Sequence, residues 1–204
     1  MSRIVFLNGE YLPEQEAKIS IFDRGNLMGD AVYESTTVLD GKVIEFPAHM
    51  RRLDRSMAEL EIPAPMKAEE ILAMHRELIA RNGLEEGLIY LQVSRGPADR
   101  DFPYPEDPTP TIFAFTQAKP WRQMPFVEKG LRVISVPDGR WARRDIKTVQ
   151  ILWASMSKMR ALRAGVDDVL FVEDGYVTES SAANAFIIAG DRIVTRPLSD
   201  EILH

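Results

Sequence analysis

Along the N-terminal half of the chain, apolar side chains recur every second residue in short runs divided by turn pairs. This is the pattern of half-buried β-strands. Residues 3–7 form one such run. Asn8-Gly9, a pair that tolerates positive φ, closes it as a hairpin, and Glu10-Tyr11-Leu12 begins the return. Lys18-Ile19-Ser20-Ile21-Phe22 alternates again and reads as a further strand, before a loop over 23–30 that contains Gly25 and Gly29. Ala31 to Leu39 is rich in β-branched residues, and Asp40-Gly41 turns it into Lys42 to Phe46. The period then changes. Pro47 suits the first turn of a helix, and Leu53, Met57 and Leu60 recur at helical spacing, which predicts a helix over 47–60. Pro63 and Pro65 interrupt, and a second helix is expected over 67–81 with Ile71, Leu72, Leu78 and Ile79 inward and Asn82-Gly83 as its C-cap. A long strand over 87–95, a Pro-rich charged loop over 96–110 and a strand over 111–115 complete this half.

Residues 118–126 carry Pro120 and Pro125 between two strand patterns and read as a linker. That divides the chain into a small N-terminal α/β domain over 1–117 and the start of a larger, β-rich domain over 127–204. The second part shows a strand over 131–136, then a helix over 149–165 with Leu152, Met156, Met159 and Leu162 on or near one face. Hairpins follow around Asp174-Gly175 and Gly190-Asp191. The whole is an α+β architecture. Its second half has too few helices to cover its strands, and an end at His204 inside an apparent helix or turn onset leads us to expect a chain cut short.

Composition narrows the function classes. With 204 residues, 45% hydrophobic and 27% charged, the chain has the composition of an ordinary globular protein with a real core. The net charge of −6 argues against nucleic acid as a partner, because phosphate backbones require a basic face. There is no cysteine, which excludes disulfides and thiolate metal sites and fits a reducing compartment. No apolar run has the length of a membrane span, and the N-terminal run is too short for a signal peptide. A soluble, cytoplasmic protein is expected. The three histidines show no metal-ligand spacing.

The candidate chemistry centres on Arg140-Trp141-Ala142-Arg143-Arg144-Asp145-Ile146-Lys147-Thr148, which sets one lysine among three arginines between a strand and a helix pattern. Neighbouring cations make a lysine easier to deprotonate, and only the neutral amine attacks a carbonyl. A carbonyl cofactor such as pyridoxal phosphate would further need a cation for its phosphate, an anion for its pyridine nitrogen and an arginine for a carboxylate substrate. Arg52, on the helix after Pro47, Glu179, beside a run of small polar residues, and Arg100, in the Pro-rich loop, supply those types. Each by itself reads more readily as a surface charge, and composition does not lift it above that.

Taken together, Asp23-Arg24-Gly25 with Gly29-Asp30-Ala31-Val32-Tyr33-Glu34, His49-Met50-Arg51-Arg52-Leu53, Arg140-Trp141 with Asp145-Ile146-Lys147-Thr148, and Thr178-Glu179-Ser180-Ser181 with Asn184 resemble the fold-type IV pyridoxal phosphate enzymes. That family comprises D-amino acid and branched-chain transaminases, aminodeoxychorismate lyase and (R)-selective amine transaminases. The motifs stand in family order and cover nearly the whole chain. The resemblance implies a two-domain fold-type IV enzyme and a homodimer. It makes Lys147 the Schiff-base lysine that moves the proton, Glu179 the partner of the pyridine nitrogen, Arg52 the phosphate-binding arginine, Ser181 a further cofactor contact and Leu203 an apolar residue packed on the cofactor ring. Tyr33 and Arg100 would hold the substrate carboxylate.

Arg95-Gly96 followed by Arg100 resembles the D-amino acid transaminases most, which implies ping-pong transfer between D-amino acids and 2-oxo acids such as 2-oxoglutarate. Phe102 departs from that subgroup, where a histidine stands in the same trap, so branched-chain, (R)-amine or lyase-like activity is the alternative on the same fold. Ala182 and Ala183 depart as well, where relatives often have serines. The family's phosphate-binding Gly-Ile-Thr segment and the rest of the larger domain have no counterpart before His204. The reading from another class is therefore a catalytically inactive fragment that serves as a dimerisation or binding module.

Overall fold

The computed structural model describes residues 2–204 and divides them into two compact units. One runs to Gln123 and also takes in Lys147–Val149; the other comprises Met124–Ile146 and Gln150–His204.

The first unit is built on a six-stranded antiparallel sheet. Its strands are β1 (Ile4–Leu7), β2 (Glu10–Pro13), β3 (Ala31–Leu39), β4 (Lys42–Val43), β5 (Glu86–Ser94) and β6 (Thr111–Ala118), in the order β2-β1-β6-β5-β3-β4. The expected turns form as the residue types dictate. Asn8, Gly9, Asp40 and Gly41 all take positive φ. The register places Val32 opposite Val93, Thr36 opposite Ile89, and Leu91 between Glu34 and Ala114, so one sheet face is a buried, mainly apolar layer that also carries Glu34 and Thr36. Helices α2 (Phe46–Glu59) and α3 (Ala68–Asn82) bring Leu53, Met57, Ile71, Met74 and Leu78 to this core. The alternate positions Tyr33, Tyr90, Phe113 and Phe115 form an aromatic row on the other face.

Three local expectations change. Lys18–Phe22 is not a strand: the Ser20 hydroxyl accepts from the Phe22 N–H at 3.1 Å and the Ser20 carbonyl accepts from Asp23, so a serine turn competes successfully with strand pairing. The loop over 23–30 contains a short helix, α1 (Arg24–Met28), capped by the Asp23 side chain. The strand expected to reach Phe46 stops at Val43, because Glu45 adopts φ 51° and Phe46 opens α2.

The second unit begins with α4 (Phe126–Lys129) and β7 (Val133–Pro137). Helix α5 (Leu152–Arg163) connects β7 to its parallel neighbour β8 (Asp168–Glu173), and β9 (Tyr176–Ser180) returns antiparallel to β8. A separate hairpin joins β10 (Phe186–Ala189) to β11 (Arg192–Thr195). Val136, Ala161, Val169 and Phe171 form the core. The helix expected over 149–165 therefore starts later and turns a different side inward. Residues 147–149 are drawn into pairing with β3, and α5 buries Ser157 and Ala161 while Leu152, Met156, Met159 and Leu162 are exposed. The small side chains let the helix axis approach the sheet closely, which the larger ones on its other side could not. Among the described residues no helix is long and apolar enough to cross a membrane.

Candidate active site

Lys147 is positioned from its backbone. Its carbonyl accepts from the Tyr33 N–H at 2.9 Å, Thr148 bridges Val32, and the Val149 N–H donates to the Ala31 carbonyl at 3.2 Å. The segment thus occupies the edge of β3 that β4, paired only at Val38 and Leu39, leaves open. On the other side the Lys147 N–H donates to the Ser56 hydroxyl of α2 at 3.2 Å. The lysine Nζ lies 4.4 Å from the centre of the Tyr33 ring, which stacks in turn on Tyr90. The amine is therefore held over an aromatic face by a strand edge and a helix.

Beneath it, Glu34 points from β3 toward α2, fully buried, and gathers two helix side chains. Arg52 grips both carboxylate oxygens, Nε on Oε1 at 2.7 Å and Nη2 on Oε2 at 2.8 Å, and His49 Nδ1 donates to Oε2 at 2.7 Å. His49, Arg52 and Ser56 are spaced i, i+3, i+7 and so share one face of α2. Burial by itself pushes the Glu34 carboxyl up, but the hydrogen bonds from Arg52 and His49 and the charges of Arg52 and Lys147 outweigh it and hold it at about 2. The carboxylate is ionised throughout the physiological range, and Arg52 has one fixed orientation. Residue types alone pointed to Arg52 but missed Glu34, His49 and Ser56 as a set. The available signal was polar residues recurring at helical spacing beside the apolar stripe.

In the second unit, Glu179 on β9 is 4% exposed and is held at both oxygens. Oε1 accepts from Asn184 Nδ2 at 2.9 Å and from the Leu203 N–H at 3.0 Å, and Oε2 accepts from Arg140 Nη1. Leu203 is thus joined to Glu179 through its backbone. Ser181 donates to Asp168. The arginines that surround Lys147 in sequence have carboxylate partners of their own in this unit: Arg140 with Asp138 and Glu179, Arg143 with Asp145, and Arg144 with Glu173. Side chains of successive residues in an irregular segment diverge, so the three arginines meet different acids, although Arg144 also comes within 3.7 Å of Asp138.

Arg100 and Phe102 lie exposed on the loop between β5 and β6, with the Arg100 guanidinium 5.8 Å from the Phe102 ring. This loop is anchored from below. Asp30 takes the fork of Arg95, Nε at 2.8 Å and Nη2 at 3.1 Å, together with Arg24 Nε at 2.7 Å. Arg24 Nη1 donates onward to the carbonyl of Asp101 at 2.8 Å, and Arg95 stacks on Tyr104. The Asp23-Arg24-Gly25 motif therefore serves the loop's foundation. Gly25 leaves room for Ser94, to which an added Cβ would come within 2.9 Å.

The first unit holds a lysine amine over an aromatic ring and an arginine fixed by a buried carboxylate, and the second holds a buried carboxylate; these are the residue types that carbonyl-cofactor chemistry uses. The chain belongs to the class IV aminotransferases: the family model for amino-transferase class IV matches residues 31–204. It is 36% identical over 202 residues to D-alanine aminotransferase of Staphylococcus aureus (strain MSSA476), covering 98% of this chain and 71% of that relative. Its fold is that of the branched-chain amino acid aminotransferase of Escherichia coli, with TM-score 0.90, 19% identity and coverage of 100% of this chain and 70% of that one. A second branched-chain amino acid aminotransferase, from T.th. and solved in complex with N-(5'-phosphopyridoxyl)-L-glutamate, matches with TM-score 0.87, 22% identity and coverage of 99% and 69%. The protein is an aminotransferase, and the cofactor of its class is pyridoxal phosphate.

The residues present fit that cofactor. The Glu179 Oε1 atom already accepts two donors, whereas Oε2 accepts one, and a carboxylate oxygen has capacity for two. One acceptor direction on a buried anion is thus available to a ring N–H. Lys147 offers the amine and Arg52 a guanidinium held in one orientation.

Proposed function

We propose that this chain catalyses transamination of D-amino acids with 2-oxo acids by a ping-pong mechanism. The observation that carries this reading is the 36% identity to a D-alanine aminotransferase along nearly the whole chain. The position of Tyr33, against which Lys147 is held, supports it. Pyridoxal phosphate, when bound, supplies the electron sink that stabilises negative charge at the substrate α-carbon. Lys147 would hold the cofactor through its amine and, when that amine is free, would take the proton from the substrate α-carbon. Its backbone pairing with β3 and its N–H bond to Ser56 limit the positions from which Nζ can act. Arg52, fixed by Glu34, binds the phosphate. Glu179 faces the ring nitrogen, Ser181 and Leu203 complete the cofactor's surroundings, and Tyr33 and Arg100 bind the substrate carboxylate. By the same resemblance the protein acts as a homodimer, and its lack of cysteine is compatible with the cytoplasm.

Replacing Lys147 by Ala should abolish the yellow lysine-bound cofactor absorbance and reduce turnover by several orders of magnitude; retention of both overturns the role. Phe102, in place of the histidine of better-known D-amino acid transaminases, favours a second reading, a broader or (R)-amine-directed specificity. Turnover of D-alanine, L-leucine and an (R)-arylamine separates the two. D-alanine should be the best donor, and preference for the arylamine supports the second reading.

A further inference from the structure

The proposed role of Glu179 leaves open why a carboxylate already bonded to an arginine should act as an anion toward anything else. Asp138 supplies an answer. Its side chain is fully buried and takes Arg140 Nε at 3.0 Å and Nη2 at 2.7 Å, while the Arg140 backbone N–H donates to the same carboxylate at 3.2 Å. The Thr178 hydroxyl donates to Asp138 Oδ2 at 2.7 Å, and the Arg140 guanidinium lies 4.8 Å from the centre of the Phe171 ring. Arg140 is therefore fixed from below by a fork, across by an aromatic ring, and presents only Nη1 to Glu179.

We propose that Arg140, steadied by Asp138, is a positioning residue that aims Glu179 Oε2 at the cofactor's ring nitrogen and leaves that carboxylate with surplus negative charge. This rests on the reading of Glu179 given under Proposed function. The surrounding network contains the guanidiniums of Arg140 and Arg144 and the carboxylates of Asp138, Glu173 and Glu179. Three anions against two cations leave one negative charge. Arg144 is engaged by Glu173, at 3.1 Å through Nη2, and its Nε is 3.7 Å from Asp138. Asp138 draws on the charge of Arg140, so that Arg140 does not neutralise Glu179 alone. A protonated ring nitrogen is the missing donor for Oε2 and the missing positive charge for the network. Burial pushes the Asp138 carboxyl up, but the hydrogen bonds from Arg140 and Thr178 and the Arg140 charge prevail and hold it below the usual range, so it stays ionised.

A buried ion pair that only ties β7 to β9 would look similar in its distances, so the test must report on the ring nitrogen. Equilibrium binding of pyridoxal 5'-phosphate is compared with that of its 1-deaza analogue, in which a ring C–H replaces the nitrogen. The unsubstituted protein should prefer the natural cofactor by roughly tenfold or more, the scale of one charge-assisted hydrogen bond. Arg140→Met should bring that ratio close to one, and Arg140→Lys should recover part of it. Asp138→Asn, nearly isosteric, should lower the ratio while leaving the circular dichroism spectrum unchanged. An unchanged ratio in Arg140→Met, with both affinities weakened equally, makes Arg140 a structural brace and overturns the proposal. If Arg140→Met does not fold, an unchanged ratio in Asp138→Asn does so. A ratio near one in the unsubstituted protein instead removes the Glu179 role itself, and this inference with it.

Discussion

At the scale of the residue, the decisive group is Glu34. Its carboxyl is held at about 2 against an ordinary 4.5. A folded-state value below the unfolded one gives stability that is complete above about pH 4.5 and is lost as pH falls toward 2. The linked free energy is roughly 3 kcal/mol. Glu34→Gln should flatten the dependence of urea stability on pH in that window and lower cofactor affinity, since Arg52 loses the partner that orients it. A variant whose acid-unfolding profile matches that of the unsubstituted protein sinks this account. His75 titrates in a different window. It is buried with Nδ1 donating to the Ile71 carbonyl at 2.9 Å, and burial lowers its pKa to about 4 from 6.5. The unfolded chain takes up that proton below about pH 6.5, but the native one takes it up only near 4, so stability declines across this interval. His75→Leu should remove the decline.

At the scale of the element, the loop that bears Arg100 and Phe102 depends on residues far from it in sequence. Gly96 opens the loop at φ 92°, and an added Cβ would come within 1.8 Å of the Thr109 carbonyl oxygen. Gly96→Ala should cost about 3 kcal/mol or more, measured by denaturant unfolding, because backbone rather than a flexible side chain must yield. The turn glycines and helix caps were legible because each obeys a local rule: Asn8-Gly9, Asp40-Gly41 and the Gly83 C-cap all adopt the positive φ that their residue types permit. The side of α5 that turns inward was not. A stripe of Leu152, Met156, Met159 and Leu162 carries the stronger apolar signal, but contact with the sheet selects the small Ser157 and Ala161.

At the scale of the molecule, two units each carry a core of their own. A cavity made in one core should register first in that unit. Leu53→Ala, at a side chain 1% exposed, should destabilise the first unit by about 2–5 kcal/mol. Trp121 lies in the first unit and Trp141 and Trp153 in the second, so single-tryptophan variants can follow each separately. Coincident shifts in both signals show that the units unfold as one. The chain itself crosses between units twice within a few residues, since Lys147–Val149 belongs with the first unit while the residues on either side belong with the second.

Rules of short range made most strands, the helix periods, the turns and the caps readable along the chain, together with the residue types of a lysine-centred, carbonyl-cofactor chemistry; they misled over residues 18–22, where alternation gives a serine turn, and on the inward side of α5. What those residues touch follows from the folded chain. Lys147 is placed by the open edge of β3 and by Ser56, Arg52 by Glu34, and Glu179 by Arg140 and Asn184. Each of these contacts except Glu179–Asn184 joins positions far apart along the chain. Local propensity has no term for such pairings, which form only when burial of the two cores brings the segments together and a buried charge must find its partner.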